Sequence, residues 1–240
     1  MKLEGEIAWI TGAARGIGFA IAKKCAEEGA QLIINDVRPV EEAAAKLEQV
    51  GRSVLAVQGD VTNARQVKEM AEKIIGKFGR IDILVNNAGG GLNVPFSILE
   101  MSEQDWDLVV DLNLKGVFLC CQAVIPQMRK QGKGRIVNVS SLAGRSSATT
   151  VGPAYTAAKA GVLGLTRHLA RTEGPYGIRV NSVAPGSILT ERLAERFEVY
   201  LKEEQEKRVS STPLRRFGKP EEIAACEAAR RIYFGENFIF

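Results

Sequence analysis

Short apolar runs alternate with amphipathic helical patterns in this chain, and no other feature constrains the fold as strongly. Several runs are apolar at consecutive positions, as in strands that are covered on both faces. Strands that alternate with helices favour a parallel sheet, because each helix crosses back over the sheet. The sequence therefore predicts an α/β fold, a doubly wound parallel sheet with helices on both faces. The predicted strands are Ile7–Ile10, Gln31–Asn35, Val54–Val57, Ile81–Val85, Arg135–Val139 and Ile178–Val183.

The helical pattern is clearest in the segment "NARQVKEMAEKIIGKFG". Its apolar residues recur with i, i+3, i+4 spacing and form one buried stripe, and Gly79 ends the helix. A chain of 240 residues is expected to form one domain, residues 1–240. Within it, the charged segment 188–217 exceeds the usual connection length and is predicted to be a lid over a binding site.

Composition limits the classes of function. Acidic and basic residues are interspersed and the net charge is only +4, so a nucleic-acid partner is not expected. No continuous apolar run approaches the ~20 residues of a membrane span, and the short apolar run near the start leads us to expect no signal peptide. The four cysteines lack metal-ligand spacing, so we expect no metal site and a reducing, cytoplasmic location.

A glycine-rich turn follows the first predicted strand, in "IAWITGAARGIGFAIAKK". Gly12 permits a tight turn, Gly16 lets backbone amides approach a pyrophosphate, and Gly18 allows close helix packing. An ordinary strand-to-helix turn would also explain a lone glycine triplet. The next strand ends at Asp36, where a carboxylate can bind the ribose hydroxyls of NAD; Asp36 could also be a turn residue or cap. Arg15 and Arg38 argue instead for the 2′-phosphate of NADP, and NAD is the favoured prediction.

Tyr155 and Lys159 lie four residues apart in "GPAYTAAKAGV" and share one helical face. Tyrosine has a reference pKa of about 10, and a neighbouring ammonium favours the phenolate, which would make Tyr155 a useful acid or base. The chain has one histidine, His168, which lies away from every motif. Such a pair also arises by chance, with the lysine extending to solvent.

Seven short motifs together resemble the short-chain dehydrogenases/reductases, in particular their 3-oxoacyl-carrier-protein-reductase-like members, and the match covers roughly residues 1–225. This resemblance implies a Rossmann-type fold and an NAD(P)-dependent oxidoreductase. The motifs are "TGAARGIG" (11–18), "GDV" (59–61), "NNAG" (86–89), Asn113 in "DLNLKGVF", "NVSS" (138–141), "YTAAK" (155–159) and "RVNSVAPGSILT" (179–190).

The resemblance also implies a cofactor site. Asp60 and Val61 would lie against the adenine, and Asn86 and Ala88 would line the adenosine side. Gly89 would let its loop pass close to the cofactor, and Lys159 would bind the nicotinamide ribose. Arg15, Ile17 and Tyr155 complete the predicted cofactor contacts. The nicotinamide carboxamide would be held by Pro185, Gly186, Ile188 and Thr190.

The catalytic set implied by the resemblance is Asn113, Ser141, Tyr155 and Lys159. Tyr155 would transfer the proton, Ser141 would hydrogen-bond the reacting oxygen, and Asn113 would hold a water that links Lys159 to solvent. Ser141 precedes Tyr155 by one residue more than is common in the family, which leaves Ser140 as a weaker candidate.

The leading hypothesis is a reversible carbonyl reductase or alcohol dehydrogenase, with the alternative of a catalytically silent dinucleotide-binding regulator. The substrate stays open among 3-oxoacyl thioesters, sugars, cyclic alcohols and hydroxy acids. Arg129, Lys130 and Lys133 could dock a carrier protein, although a second basic cluster is missing. Homodimers or homotetramers are expected, because the helices within 105–128 and 154–172 carry apolar residues on several faces.

The final residues, 226–240, depart from the family pattern. Arg230 and Arg231 occupy positions where apolar residues are expected, and "NFIF" is too short to replace the usual closing strand. We therefore expect six firm strands, an uncovered edge at the strand of residues 178–183, and a mobile or repacked ending.

Overall fold

The computed structural model describes residues 1–50, 53–146, 151–198 and 202–225. Its centre is a parallel sheet in the order β3-β2-β1-β4-β5-β6. The order reverses between β1 and β4, and in such sheets ligands bind in the crevice at the carboxyl ends of the strands beside this point. The strands are β1 (Ile7–Thr11), β2 (Gln31–Asp36), β3 (Val54–Gln58), β4 (Ile83–Asn86), β5 (Gly134–Val139) and β6 (Ile178–Val183).

Helices connect successive strands and cover both faces of the sheet. A π-helical turn, Asp111–Lys115, joins the fourth helix to the fifth. The helices are α1 (Gly16–Glu27), α2 (Glu41–Glu48), α3 (Ala64–Phe78), α4 (Glu103–Val110), α5 (Gly116–Gln131), α6 (Pro153–Glu173), α7 (Glu191–Phe197), α8 (Lys202–Ser210) and α9 (Pro220–Ala225). The predicted doubly wound parallel sheet is thus confirmed.

Alternate side chains of each strand enter two separate cores. In β1, Ala8 and Ile10 pack toward α1 and α2, whereas Ile7 and Trp9 pack toward α3 and α5. This division follows from the two-residue period of a strand. Burial on both faces also explains why the strands are apolar at consecutive positions.

Strand limits differ from the prediction mainly at β4, which begins at Ile83 and not at Ile81. The backbone of Ile81 is bound at both its N–H and its carbonyl by the Gln131 side chain, at 3.0 and 2.9 Å. Asp82 turns its carboxylate back onto the Ile7 N–H, at 2.9 Å. The Asp82 backbone still hydrogen-bonds Ile7 and Arg135, so side-chain contacts replace strand pairing only at Ile81.

Helix α3 confirms the clearest helical prediction. Asn63 caps its start by accepting hydrogen bonds from the Arg65 and Gln66 amides, and Gly79 ends it with a φ of 72°. Only Gly or a few polar residues adopt that left-handed conformation readily, so the glycine explains where the helix stops.

The helical stretch Glu103–Gln131 is long and apolar enough, by length and composition, to cross a membrane. The sequence does not predict such a stretch, because no continuous apolar run approaches ~20 residues. Apolar residues of α5, including Val117, Val124 and Met128, are buried in the core that α5 forms with α3 and the sheet. Core helices of soluble proteins meet the same criterion, and packing in the core accounts for this composition.

The predicted lid contains two helices, α7 and α8. Its base is held by a parallel bridge between Ile188 and Gly218.

Helix α9 begins at Pro220 and packs on α1, with Ala224 buried. Strand β6 lies at the edge of the sheet among the described residues, as expected. The predictions for residues 226–240, Cys226 included, fall outside the described residues, and the assignment of residues 1–240 to one domain stays a prediction.

Candidate active site

A cavity of about 690 Å³ opens at the carboxyl ends of the strands, where the strand order reverses. Most of the predicted site residues line it, although they come from segments more than 170 residues apart. Gly18, Asn86 and Asn113 do not. The predicted residues on its wall are Gly12, Arg15, Gly16, Ile17, Asp36, Asp60, Val61, Ala88, Gly89, Ser141, Tyr155, Lys159, Pro185, Gly186, Ile188 and Thr190.

The glycine-rich turn has the close contacts that its spacing predicts. Gly12 and Gly16 have φ values of 64° and 62°, and a Cβ on Gly12 would lie 2.7 Å from the Ala88 Cα. A Cβ on Gly18 would collide with the Gly12 carbonyl oxygen and the Asn87 amide. Gly18 therefore lies behind the turn, where it lets α1 approach β1.

The first turn of α1 offers backbone amides to the cavity. Its N-cap, Arg15, makes no side-chain capping hydrogen bond, and no acidic residue lies in this turn. By contrast, Asn63, Ser102 and Thr190 cap α3, α4 and α7. Uncapped amides at a helix N-terminus suit a phosphate, so this turn fits the pyrophosphate of a dinucleotide.

Asp36 is 5% exposed and ends β2 at the cavity wall. Its carboxylate accepts hydrogen bonds from the Ala14 amide at 3.2 Å and the Arg38 amide at 3.1 Å. The Arg38 guanidinium lies 3.4 Å from the same carboxylate, while Arg15 pairs with Glu195 of α7 at 2.9 Å. Both arginines considered for a 2′-phosphate thus have carboxylate partners.

Asn86 is directed away from the cavity, which differs from the predicted placement. Its side-chain amide donates to Asn138 Oδ1 at 2.8 Å in the core. The neighbouring Asn87 lines the cavity and donates to the carbonyls of Thr11 and Gly12, at 3.0 and 2.9 Å. Thr11 Oγ1 in turn accepts from the amides of Asn87 and Ala88, both at 3.1 Å. These contacts join the ends of β1 and β4.

Thr11 and Asn87 are not among the predicted site residues, although both belong to motifs that carry the family resemblance. Strand β4 ends at Asn86, so Asn87 is the first residue beyond it. The direction of each asparagine side chain therefore depends on where the strand ends. The signal that could have found Asn87 is the alternation of side chains along a strand.

Tyr155 and Lys159 lie on one face of α6, as predicted. The Lys159 ammonium is 5.7 Å from the centre of the Tyr155 ring and donates to the Val139 carbonyl at 2.8 Å. Ser141 follows β5, and its hydroxyl is hydrogen-bonded to the Tyr155 phenol. The Ser140 hydroxyl instead donates to the Lys159 carbonyl at 2.8 Å. Ser141 is therefore the serine that is bonded to the tyrosine.

Asn113 is fully buried in the π-helical turn, beside the cavity wall. Its Oδ1 accepts from the Gly90 amide, and its Nδ2 donates to the Gly90 carbonyl, each at 2.9 Å. A Cβ on Gly89 would lie 2.7 Å from Asn113 Oδ1 and 3.2 Å from Lys159 Nζ. Asn113 thus holds the loop after β4 close to Lys159.

The pKa values of Tyr155 and Lys159 depend on more than the charge that each presents to the other, which differs from the sequence-based expectation. Burial is the largest influence on Tyr155 and raises its pKa, while the Ser141 hydrogen bond and the charge of Arg192 lower it by less. The pKa of Lys159 is lowered to about 8, mainly by burial and to a smaller extent by the charge of Arg192. The sequence-based expectation considered only the charge of Lys159 as an influence on the pKa of Tyr155. It took no account of the desolvation of both groups or of the charge of Arg192. His168 is exposed on α6, outside the cavity.

Known proteins that are similar to this chain belong to the family that its motifs resemble. Residues 6–200 match the family model described as short chain dehydrogenase. The 3-oxoacyl-acyl-carrier-protein reductase FabG of Thermotoga maritima is 44% identical over 236 residues, which cover 93% of this chain and 89% of that protein. The enzyme of the same name from Staphylococcus aureus is 42% identical, over 90% of this chain and 87% of its own.

Solved structures are similar throughout the fold. Levodione reductase superposes with a TM-score of 0.89 at 34% identity, covering 96% of this chain and 91% of its own. A NAD⁺-bound xylitol dehydrogenase also gives 0.89, at 30% identity, covering 97% of this chain and 93% of its own.

Proposed function

Since the chain belongs to the short-chain dehydrogenase family and is therefore an NAD(P)-dependent oxidoreductase, we propose that it moves a hydride between NAD(H) and a carbonyl or secondary alcohol. The observation that carries this proposal is the placement of Ser141, Tyr155 and Lys159 together at one cavity wall. Ser141 bonds the Tyr155 phenol, and Lys159 lies on the adjacent helical turn.

When bound, the nicotinamide supplies the hydride in reduction and accepts it in oxidation. In reduction the carbonyl carbon gains a hydride and its oxygen gains the Tyr155 proton, so the C=O π bond becomes one C–H and one O–H bond. The Ser141 hydroxyl donates to that oxygen and stabilises its developing charge. Lys159, with a pKa of about 8, is mostly charged at pH 7 and stabilises the tyrosinate left behind. Oxidation reverses each step.

The proposed role of Asn113 is to position this machinery. Its two hydrogen bonds to Gly90 hold the loop after β4 against Lys159. We retain from the family resemblance the proposal that Asn113 supports a water path from Lys159 to solvent.

NAD is the proposed cofactor, although the arginines at this end of the cavity leave NADP as the alternative. The Asp36 carboxylate is held at the cavity wall by two backbone amides, which fixes a negative charge where the adenosine ribose would lie. The other residues that we propose to contact the cofactor are the predicted site residues that line the cavity. Asn86, which does not, is proposed to act only through the core contacts that support this wall.

Asp36→Ala is expected to narrow the preference for NAD over NADP by about tenfold or more in kcat/KM, because it removes a carboxylate that repels the 2′-phosphate. Steady-state kinetics with both cofactors measure the ratio. Glu41→Ala on α2 removes an exposed carboxylate outside the cavity and serves as the control. A wild-type protein that already prefers NADPH would contradict this assignment.

The overall function is tested by oxidation of NADH in the presence of a panel of aldehydes, cyclic ketones, 3-oxo esters and keto sugars. We expect turnover with at least one class. Normal NADH binding without turnover of any compound would contradict the proposal and would favour a catalytically silent dinucleotide-binding regulator.

The docking of a carrier protein receives little support from the geometry. Arg129 forms a two-pronged ion pair with the buried Glu173, at 2.7 and 2.9 Å, and stacks on Tyr176. Lys133 lies within 4 Å of both Glu6 and Asp82. Two of the three basic residues considered for docking therefore already join elements of the fold, so the proposal is left at a small-molecule carbonyl or alcohol.

We also propose a homodimer or homotetramer in the cytoplasm, and the buried free thiols of Cys25, Cys120 and Cys121 suit a reducing compartment. The apolar residues that support assembly are exposed on α4 and α5. Of the apolar residues on the two helices predicted to pair, Val117 and Val162 are buried within the chain, whereas Phe118 is 46% exposed.

Phe118→Glu is expected to shift sedimentation at micromolar concentration toward smaller species, because it places a charge on an exposed apolar helix face. Lys68→Glu on the exposed side of α3 is the control and should leave the wild-type distribution unchanged. A wild-type protein that sediments as a monomer would show that this surface is not an interface.

A further inference from the structure

Arg192 is the second residue of α7 and extends from the lid to the loop after β4. Its Nη1 donates to the Gly89 carbonyl at 3.1 Å. Its guanidinium lies directly against Gly90, where any Cβ would collide with it. The arginine thus joins the lid to the loop after β4, and it lines the cavity.

Three contacts between other residues hold α7, which carries Arg192, in its place. Thr190 Oγ1 caps α7 by accepting from the Leu193 amide at 3.3 Å. The Ile188–Gly218 bridge fixes the base of the lid, and the Glu195–Arg15 ion pair joins α7 to the start of α1. These contacts position α7, and the hydrogen bond to the Gly89 carbonyl directs the exposed guanidinium toward the loop after β4.

The charge of Arg192 reaches the catalytic pair, since it lowers the pKa of both Tyr155 and Lys159. A second arginine of the lid, Arg208 of α8, lines the same cavity. The loops after β4 and β5 contribute mostly apolar side chains to this wall, including Leu92, Phe96, Leu142 and Ala143.

Among the described residues, four acidic side chains line the cavity at other parts of its wall. Asp36 ends β2, Asp60 follows β3, Glu191 lies near Gly16, and Asp111 is bound to Lys115 at 2.8 Å. Beside Tyr155, the described part of the cavity wall thus combines apolar side chains with the guanidinium of Arg192. A guanidinium presents a planar fork of N–H donors that matches a carboxylate or phosphate.

We propose that Arg192 determines substrate specificity by binding an anionic group, a carboxylate or a phosphate ester, near the carbonyl that Tyr155 protonates. The substrate class is then an oxo acid or an oxo phosphate in reduction, and the corresponding hydroxy compound in oxidation. This inference rests on the proposed oxidoreductase function, because it assigns the substrate of the same site.

The test compares charged and neutral members of matched pairs with NADH. Acetoacetate against methyl acetoacetate examines a carboxylate, and dihydroxyacetone phosphate against dihydroxyacetone examines a phosphate. For at least one pair, wild-type kcat/KM should favour the charged member. Arg192→Gln should reduce that charged-to-neutral ratio by about 10- to 100-fold, as expected for the loss of a charge-assisted hydrogen bond.

Two further variants separate specificity from a general effect of charge. Arg192→Lys keeps the charge without the planar fork and should retain part of the preference. Lys207→Gln, beside Arg208 on the exposed side of α8, makes the same change of charge outside the cavity and should leave the ratio at the wild-type value.

The outcomes distinguish this inference from the function on which it rests. Turnover of the neutral compounds with no preference for charge, or with a ratio that Arg192→Gln leaves unchanged, would overturn only the specificity role. A loss of NADH affinity in Arg192→Gln with an unchanged ratio would show that Arg192 holds the cofactor and would also overturn it. Absence of turnover with every pair and with the wider carbonyl panel would overturn both.

Discussion

Replacing Tyr155 with phenylalanine is expected to lower kcat by about 10²–10⁴-fold while NADH affinity stays nearly unchanged. The change keeps the ring, whose packing on α6 does not depend on the hydroxyl, and removes the proton donor that Ser141 orients. Steady-state kinetics and a fluorescence titration with NADH measure the two quantities. Tyr176→Phe, at an exposed tyrosine outside the cavity, is the matched control.

The pH dependence provides a second measurement on the same residue. Burial raises the pKa of Tyr155, so the phenol stays protonated through neutral pH and is ready to donate in reduction. Oxidation needs the tyrosinate, so the kcat/KM of the oxidation reaction should rise with pH. Above about pH 8 Lys159 loses its charge, which removes support for the tyrosinate and should flatten that rise. Retention of more than about a tenth of wild-type kcat in Tyr155→Phe would remove the tyrosine from the proposed role.

Gly18→Ala is expected to weaken NADH binding by at least about tenfold and to lower the free energy of unfolding by about 1–3 kcal/mol, the range for overpacking a tight site. The new methyl group would collide with the Gly12 carbonyl oxygen and the Asn87 amide, both rigidly held in the turn. Relief of the collision would move α1 away from β1 and displace the amides proposed to bind the pyrophosphate. Urea denaturation and NADH titration measure the two effects.

The chain contains a matched control for this substitution. Gly76 lies inside α3, and a Cβ there would meet no atom within 4 Å other than those of its chain neighbours and its own helical backbone. Gly76→Ala should therefore leave NADH binding unchanged and stabilise the protein by up to about 1 kcal/mol, the helix-propensity difference between the two residues. Wild-type stability and affinity in Gly18→Ala would show that the turn tolerates the methyl group.

The fold was largely predictable because its signals are local. Alternating apolar runs and helical stripes depend on residues a few positions apart, and they specified six parallel strands and the boundaries of α3. The grouping of Tyr155 with Lys159 was equally local, since residues four apart share a helix face. The tight contacts of Gly12 and Gly18 followed from the strand–turn–helix pattern in the same way.

Only the tertiary structure decided the features that depend on distant segments. It directed Asn86 into the core and Asn87 toward the glycine turn, because the end of β4 sets which side chain faces which way. It brought Arg192 of the lid to Gly89, which is 103 residues away in the chain. It also made burial the largest influence on the pKa of Tyr155 and Lys159. Spacing along a chain reports which residues share an element, whereas desolvation and long-range charge depend on everything packed around them.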